Sequence, residues 1–187
     1  MPTLYTIGHS THPLAAFAAI LQAAGIERLV DIRTVPRSRT NPQFNQDTLP
    51  AALAAYRIDY EHLAALGGLR GKSKTIPPET NGFWENDSFH HYADYALTDA
   101  FRQGLETLIQ RAQAQRCAIM CSEAVWWRCH RRIVSDYLLA RGIPVRHLMG
   151  PGHDTPASLT RGAAVQADGS VHYPPRPATA PPPANGP

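Results

Sequence analysis

Apolar positions along this chain follow two rhythms that take turns. Short runs suited to buried strands stand at Thr3–Ile7, Leu29–Arg33, Ile58–His62, Cys117–Cys121 and Val145–Met149. Between them the spacing turns helical: Leu14, Phe17, Ile20 and Leu21, then Leu49, Leu53 and Tyr56, then a stretch over Phe89–Ala96. Phe101, Leu105, Leu108, Ile109 and Ala112 make the clearest amphipathic set, and Ile133, Val134, Tyr137 and Leu138 follow. Ser10 or Thr11 can cap the first helix, with Pro13 in its opening turn, and Asp47 and then Thr98 or Asp99 can cap later ones. Gly25 and Gly142 are placed to end helices. Strands and helices alternating in this way predict an α/β fold with a mostly parallel sheet of about five strands and helices on both faces, a Rossmann-like three-layer arrangement.

Two stretches break the rhythm. Leu63–Asn86 is long for a connection, and its Gly67, Gly68, Gly71, Arg70, Lys72, Lys74, Phe83 and Trp84 suit a lid over a bound anion. Beyond Gly150 the apolar periodicity stops, and nine of the 17 prolines lie from Pro151 onward. Residues 1–150 therefore read as one α/β domain and 151–187 as an extension dispensable for folding after about Asp154. Asp168-Gly169 marks a hairpin within 162–173, and the closing PPRPATAPPPANGP reads as disordered.

Composition narrows the class. The chain has 187 residues, 43% hydrophobic and 18% charged, with a net charge of +3. That describes a globular protein with a real core and no membrane span, and the N-terminus lacks a secretory pattern. Three closely spaced cysteines suit reduced thiols and a cytoplasmic location.

The candidate chemistry collects where parallel strands end. The first strand would deliver Gly8, His9 and Ser10, the second Asp31, Arg33 and Arg37, and the third Glu61 and His62. The fourth would deliver Cys121, Ser122 and Glu123, with Cys129, His130 and Arg131 at the next helix's first turn. Ligands of open α/β sheets bind at that edge, and a helix N-terminus favours a thiolate or a bound anion. Each candidate has a plain alternative. Asp31 and Arg33 share a strand face and can form a structural ion pair, His9 and His62 can be hydrogen-bonded strand-end residues, Trp126 and Trp127 can be packing, and Cys117 fits the core.

Three chemistries can use the set. Cys121 can be a nucleophile activated by the surrounding arginines, with Cys129 packing inward. Cys121, Cys129 and one of His9, His62 or His130 can hold zinc, although the spacing matches no common finger. Glu123 can be a general acid or base while arginines hold phosphate.

TIGHS at Thr6–Ser10, LVDIRTVPRSR at Leu29–Arg39 with Phe44 after it, LGGLRG at Leu66–Gly71, YADY at Tyr92–Tyr95, and MCSE with CHRR across Met120–Arg132 resemble the bacterial domain-of-unknown-function 488 family. The resemblance runs through about the first 149 residues. It implies an α/β fold with an active site whose C-x-E and C-H-R pattern is met by Cys121, Glu123, Cys129, His130 and Arg131. It brings no established reaction, substrate or cofactor.

The expectation is an enzyme acting on an anionic substrate such as a nucleotide, a phosphorylated metabolite or a nucleic-acid end. Arg33, Arg37, Arg39 and Arg131 would hold the anion, Cys121 or Glu123 would react, and His9 would assist, with Ser10, Asp31, His62, Arg70, Cys129 and His130 as further site candidates. The alternative is a nucleotide- or nucleic-acid-binding module without turnover, with Trp84, Trp126 or Trp127 stacking on bases.

Overall fold

The computed structural model describes residues 1–178 of the chain, so the end of the run read as disordered, from residue 179, lies outside the described residues. Strands β1 (Leu4–Gly8), β2 (Arg28–Asp31), β3 (Asp59–His62), β4 (Cys117–Cys121) and β5 (Val145–Gly150) are parallel. A sixth strand, β6 (His153–Pro156), adds antiparallel to β5, and the sheet order is β3-β2-β4-β1-β5-β6. The sequence showed about five strands because β6 is a polar, exposed edge with no apolar run to mark it.

Alternating strand residues build two cores. Tyr5, Ile7, Leu29, Ala118, Met120 and Leu148 meet α1 (Leu14–Ala23) and α2 (Leu49–Ala54) on one face. Leu4, Val30, Cys117, Ile119 and Val145 meet α3 (Asp87–Tyr95), α4 (Asp99–Ala114) and α5 (Arg131–Ala140) on the other. This is a three-layer α/β fold, and burial on both faces is why β4 reads as unbroken apolar sequence.

The topology places the site. β4 is flanked by β1 and β2, whose following helices α1 and α2 lie on the face opposite α5. Adjacent strands that send their chains to opposite faces leave a crevice at their carboxyl ends. The crevice here opens around Cys121.

Local signals differ in how they were used. Thr98 caps α4 by accepting the Phe101 N–H, and Asn86 caps α3 through the Ser88 and Phe89 N–H groups. Neither Ser10 nor Thr11 caps α1, which begins after Pro13 without a side-chain cap. Ser10 instead takes a left-handed φ of 47° and donates its N–H to the Ser122 carbonyl at 3.1 Å, tying the β1 turn to the β4 turn. Asp47 does not cap α2, whose N-terminal residue Thr48 makes no side-chain cap either.

The boundary drawn at residue 150 does not coincide with an end of packing. A hairpin of β7 (Ala164–Val165) and β8 (Val171–His172) follows β6, and Val171 and Tyr173 are fully buried. The Tyr173 hydroxyl donates to Asp136 Oδ2 at 2.7 Å, and its N–H donates to Asn81 Oδ1 at 3.0 Å. Thr160 N–H completes the Asp136 carboxylate at 2.8 Å. Residues up to Tyr173 therefore satisfy a buried carboxylate of α5, so the segment expected to be dispensable after Asp154 packs on the domain as far as Tyr173. Among the described residues no helix is long and apolar enough to cross a membrane.

Candidate active site

Thr6, Cys121 and His147 continue the α5-facing rows of β1, β4 and β5, and these rows turn polar at their carboxyl ends. Arg131, one residue into α5, inserts its guanidinium among them with 1% of its surface exposed. Its Nε donates to Cys121 Sγ at 3.0 Å, one terminal nitrogen donates to Thr6 Oγ1 at 3.2 Å, and the other donates to the Glu123 carbonyl at 2.7 Å. Having accepted from arginine, Thr6 donates its own proton to His147 Nδ1 at 2.7 Å, and the imidazole stacks on Trp126 at 4.4 Å. Burial and the neighbouring Arg131 charge lower the His147 pKa to about 3, so this ring stays neutral.

Gly8 makes the arrangement possible. It pairs with Cys121 across the sheet, and a Cβ there would stand 1.8 Å from the Glu123 carbonyl oxygen and 2.9 Å from the Arg131 guanidinium. Only a residue without a side chain lets the β4 turn fold back over β1.

Cys129 completes the cluster. Its sulfur accepts the Arg131 backbone N–H at 3.4 Å, while the Cys121 thiol faces the Glu123 carbonyl at 3.7 Å. Among the described residues no carboxylate balances Arg131, and the sulfurs are what its charge acts upon. Burial pushes the Cys129 thiol up, but the neighbouring Cys121 thiol and the Arg131 charge and N–H outweigh it and leave it at about 7. Burial and the neighbouring Cys129 sulfur push Cys121 well above its ordinary range. The two sulfurs titrate as a pair, with the lower value falling to Cys129. The sequence reading placed reactivity at Cys121 and packing at Cys129, whereas the pKa directions of the pair make Cys129 the more acidic thiol.

His130 is held beside the pair. Its Nε2 donates to the Ile32 carbonyl at 2.9 Å, which leaves Nδ1 facing Cys129 Sγ at 3.4 Å. Gly68 and Tyr92 bracket the ring, and burial lowers its pKa. A cleft of about 420 Å³ opens over Cys121, Cys129 and His130, with the Arg37, Arg128 and Glu123 side chains exposed at its rim.

The other arginines do not converge as expected. Asp31 and Arg33 lie on the α1–α2 side, where Arg33 clamps Asp31 at 2.9 and 2.6 Å and donates to the Phe44 carbonyl at 2.7 Å. Burial would lower the Arg33 pKa, and the Asp31 bond reverses that and raises it. His9 stacks on Phe44, donates Nδ1–H to the Ser10 carbonyl and accepts from Arg33 at 3.4 Å. Desolvation lowers its pKa. The ion pair and the strand-end histidine make the contacts of the plain alternatives, although the Arg33 side chain still reaches the cleft wall. His62 binds the Arg33 carbonyl at 2.7 Å, and Glu61 faces Arg28 and Arg111. Arg39 is exposed outside the cleft lining. Arg70 folds back on the Gly67 and Ala64 carbonyls and lies 3.8 Å over the Tyr95 ring.

The stretch Leu63–Asn86 forms a packed wall instead of a lid. Leu66 is buried, its carbonyl and that of Ala65 accept the Tyr92 and Tyr95 hydroxyls, and Trp84 packs against Phe89 and Tyr173. Among the described residues no three His, Cys, Asp or Glu side chains assemble as a metal site, since His9 and His62 are committed to backbone carbonyls.

A family model described as Domain of unknown function DUF488 matches residues 13–138, two thirds of the chain, from the turn before α1 into α5. The chain belongs to the DUF488 family. No curated protein and no solved structure matches it. In this DUF488 chain two residues beside the thiols went unread in the sequence. Thr6 and His147 looked like strand interior, and only the register that sets both beside β4 reveals them. Arg128 was visible as one arginine among several, and its place at the rim depends on the 3-10 turn Trp126–Arg128.

Proposed function

We propose that this DUF488 protein is a thiol-dependent enzyme in which Cys129 attacks an anionic electrophile bound in the cleft at the carboxyl edge of the sheet. The observation that carries the reading is the buried Arg131 guanidinium, which has two sulfurs around it and no carboxylate. A charge so deeply buried needs an anion, and a thiolate is the anion at hand. Thiolate at neutral pH is the nucleophilic form of cysteine. Arg37 and Arg128 at the rim supply the charge that attracts an anion, and Glu123 presents a carboxylate there for proton transfer to a leaving group. The site stays open to the anionic classes read from the sequence, including phosphorylated metabolites and nucleotides.

A nucleotide- or nucleic-acid-binding module without turnover is the weaker reading. Trp84 is buried in the core and Trp126 is stacked on His147, which leaves two of three base-stacking candidates already occupied. The test is alkylation by iodoacetamide, mapped by peptide mass across pH. Cys129 should react first, with a midpoint near 7, and sulfate or phosphate should slow it. Labelling that begins at Cys121, or that needs denaturant, would overturn the proposal.

A further inference from the structure

We infer that Cys121 is a second, resolving thiol, and that the substrate class is an anionic small-molecule disulfide reduced by the Cys129–Cys121 pair. The inference rests on the reading of Cys129 as nucleophile and adds to it. Phosphoryl transfer or simple alkyl transfer has no use for a second thiol held by the same arginine as the first. Here both cysteines line one cleft, and one residue, Arg131, holds the Cys121 sulfur by its guanidinium Nε and the Cys129 sulfur by its backbone N–H.

The shared cation orders the steps. In the resting site the charge sits on Cys129, and Cys121 keeps its proton. Cys129 thiolate attacks one sulfur of a disulfide R–S–S–R, forming Cys129–S–S–R and expelling R–S⁻. The capped Cys129 is neutral, so Arg131 loses its anion while its Nε remains 3.0 Å from Cys121 Sγ. Cys121 is then the group that can supply the missing charge, and its proton passes to the departing thiolate. Cys121 thiolate attacks Cys129 Sγ, closes the intramolecular disulfide and expels the second R–S⁻. In total the two protein thiols give up two electrons, the substrate disulfide takes them, and one R–SH and one R–S⁻ leave. Two equivalents of a small thiol return the protein to the dithiol.

Oxidised glutathione, an anionic peptide disulfide, is a suitable probe with the full chain, followed by intact mass and peptide mapping after acid quench. The wild-type protein should release two glutathione thiols and show a Cys121–Cys129 linked peptide without a retained adduct. Cys121→Ser should stop at a stoichiometric mixed disulfide on Cys129, and Cys129→Ser should not react. Neutral hydroxyethyl disulfide should react at least tenfold more slowly than the anionic probe with the wild-type protein. A stable adduct on wild-type Cys129 would overturn the resolving role while leaving the nucleophile intact. So would a wild-type protein that iodoacetamide labels at Cys129 but that oxidised glutathione leaves untouched. Reaction of Cys129→Ser at the wild-type rate would overturn both readings. If Cys121→Ser does not fold, Cys121→Ala and the wild-type peptide map carry the same decision.

Discussion

Between pH 7 and 9 the folded protein should gain stability through one sulfur. The Cys129 thiol falls from 9.0 to about 7 on folding. A depressed folded pKa contributes stability that is complete above the unfolded value and is lost as the pH falls through the folded one. A shift of that size corresponds to about 3 kcal/mol in the limit, of which about 2 kcal/mol is gained across the window itself. Cys129 is almost fully buried, so solvent screening removes little of it. Cys121 acts in the opposite sense. Burial and the neighbouring Cys129 sulfur raise it, so above about pH 9 the unfolded chain ionises a thiol that the folded chain keeps protonated, and stability should turn down again. Urea unfolding under reducing conditions measures both limbs. At a slope of ~2 kcal/mol per molar urea, the midpoint should rise by about 1 M across the window in the wild-type protein. Cys129→Ser should flatten that climb. Parallel curves for the two proteins would mean that Arg131 is not paired with a thiolate, and the argument for the site would fail.

Three further outcomes follow from contacts outside the thiols. Asp31→Asn leaves the buried Arg33 charge without its clamp and should cost about 3–5 kcal/mol in chemical unfolding, since breaking one side of a buried pair strands the other. Gly68→Ala would set a Cβ 2.6 Å from His130 Nδ1; the displaced ring should change the pH midpoint of Cys129 alkylation with little loss of melting temperature. Tyr173→Phe removes one donor from the buried Asp136 and should cost about 1–3 kcal/mol, and a chain ended after Pro156 should unfold at a markedly lower temperature than the full chain.

What could be read in advance was local. β4 falls on Cys117–Cys121, the residues chosen from the apolar run, and Thr98, Gly25 and Gly142 mark helix ends where the sequence put them. Periodicity and capping are properties of neighbouring residues, so one sequence suffices to see them. The hairpin around Asp168-Gly169 is also present, because its turn chemistry is local. Its docking is not. Tyr173 reaches Asp136 across 37 residues and Asn81 across 92, and no composition argument sees a buried tyrosine inside a Pro-rich stretch. The proposed lid failed for the same reason: Gly67 and Gly68 allow close packing on Thr34 and His130, and their spacing resembles that of a flexible hinge.

The arginines show where a residue list stops and a fold begins. Arg33 and Arg131 are the same residue type, both buried, both at the carboxyl edge of the sheet, and the sequence grouped them as one anion site. Strand parity separates them. Arg33 follows Asp31 by two positions, so both point to the α1–α2 side and the carboxylate neutralises the guanidinium on the spot. Arg131 comes from a helix on the opposite side and meets a strand row whose polar members are Thr6, Cys121 and His147, none of them a carboxylate. A buried guanidinium with a carboxylate partner is a structural fixture. One without it imposes its charge requirement on whatever acidic proton lies nearest, and here the nearest belong to two thiols. The proposed chemistry of the site rests on the lack of a carboxylate partner for Arg131 among the described residues more than on the presence of any single cysteine.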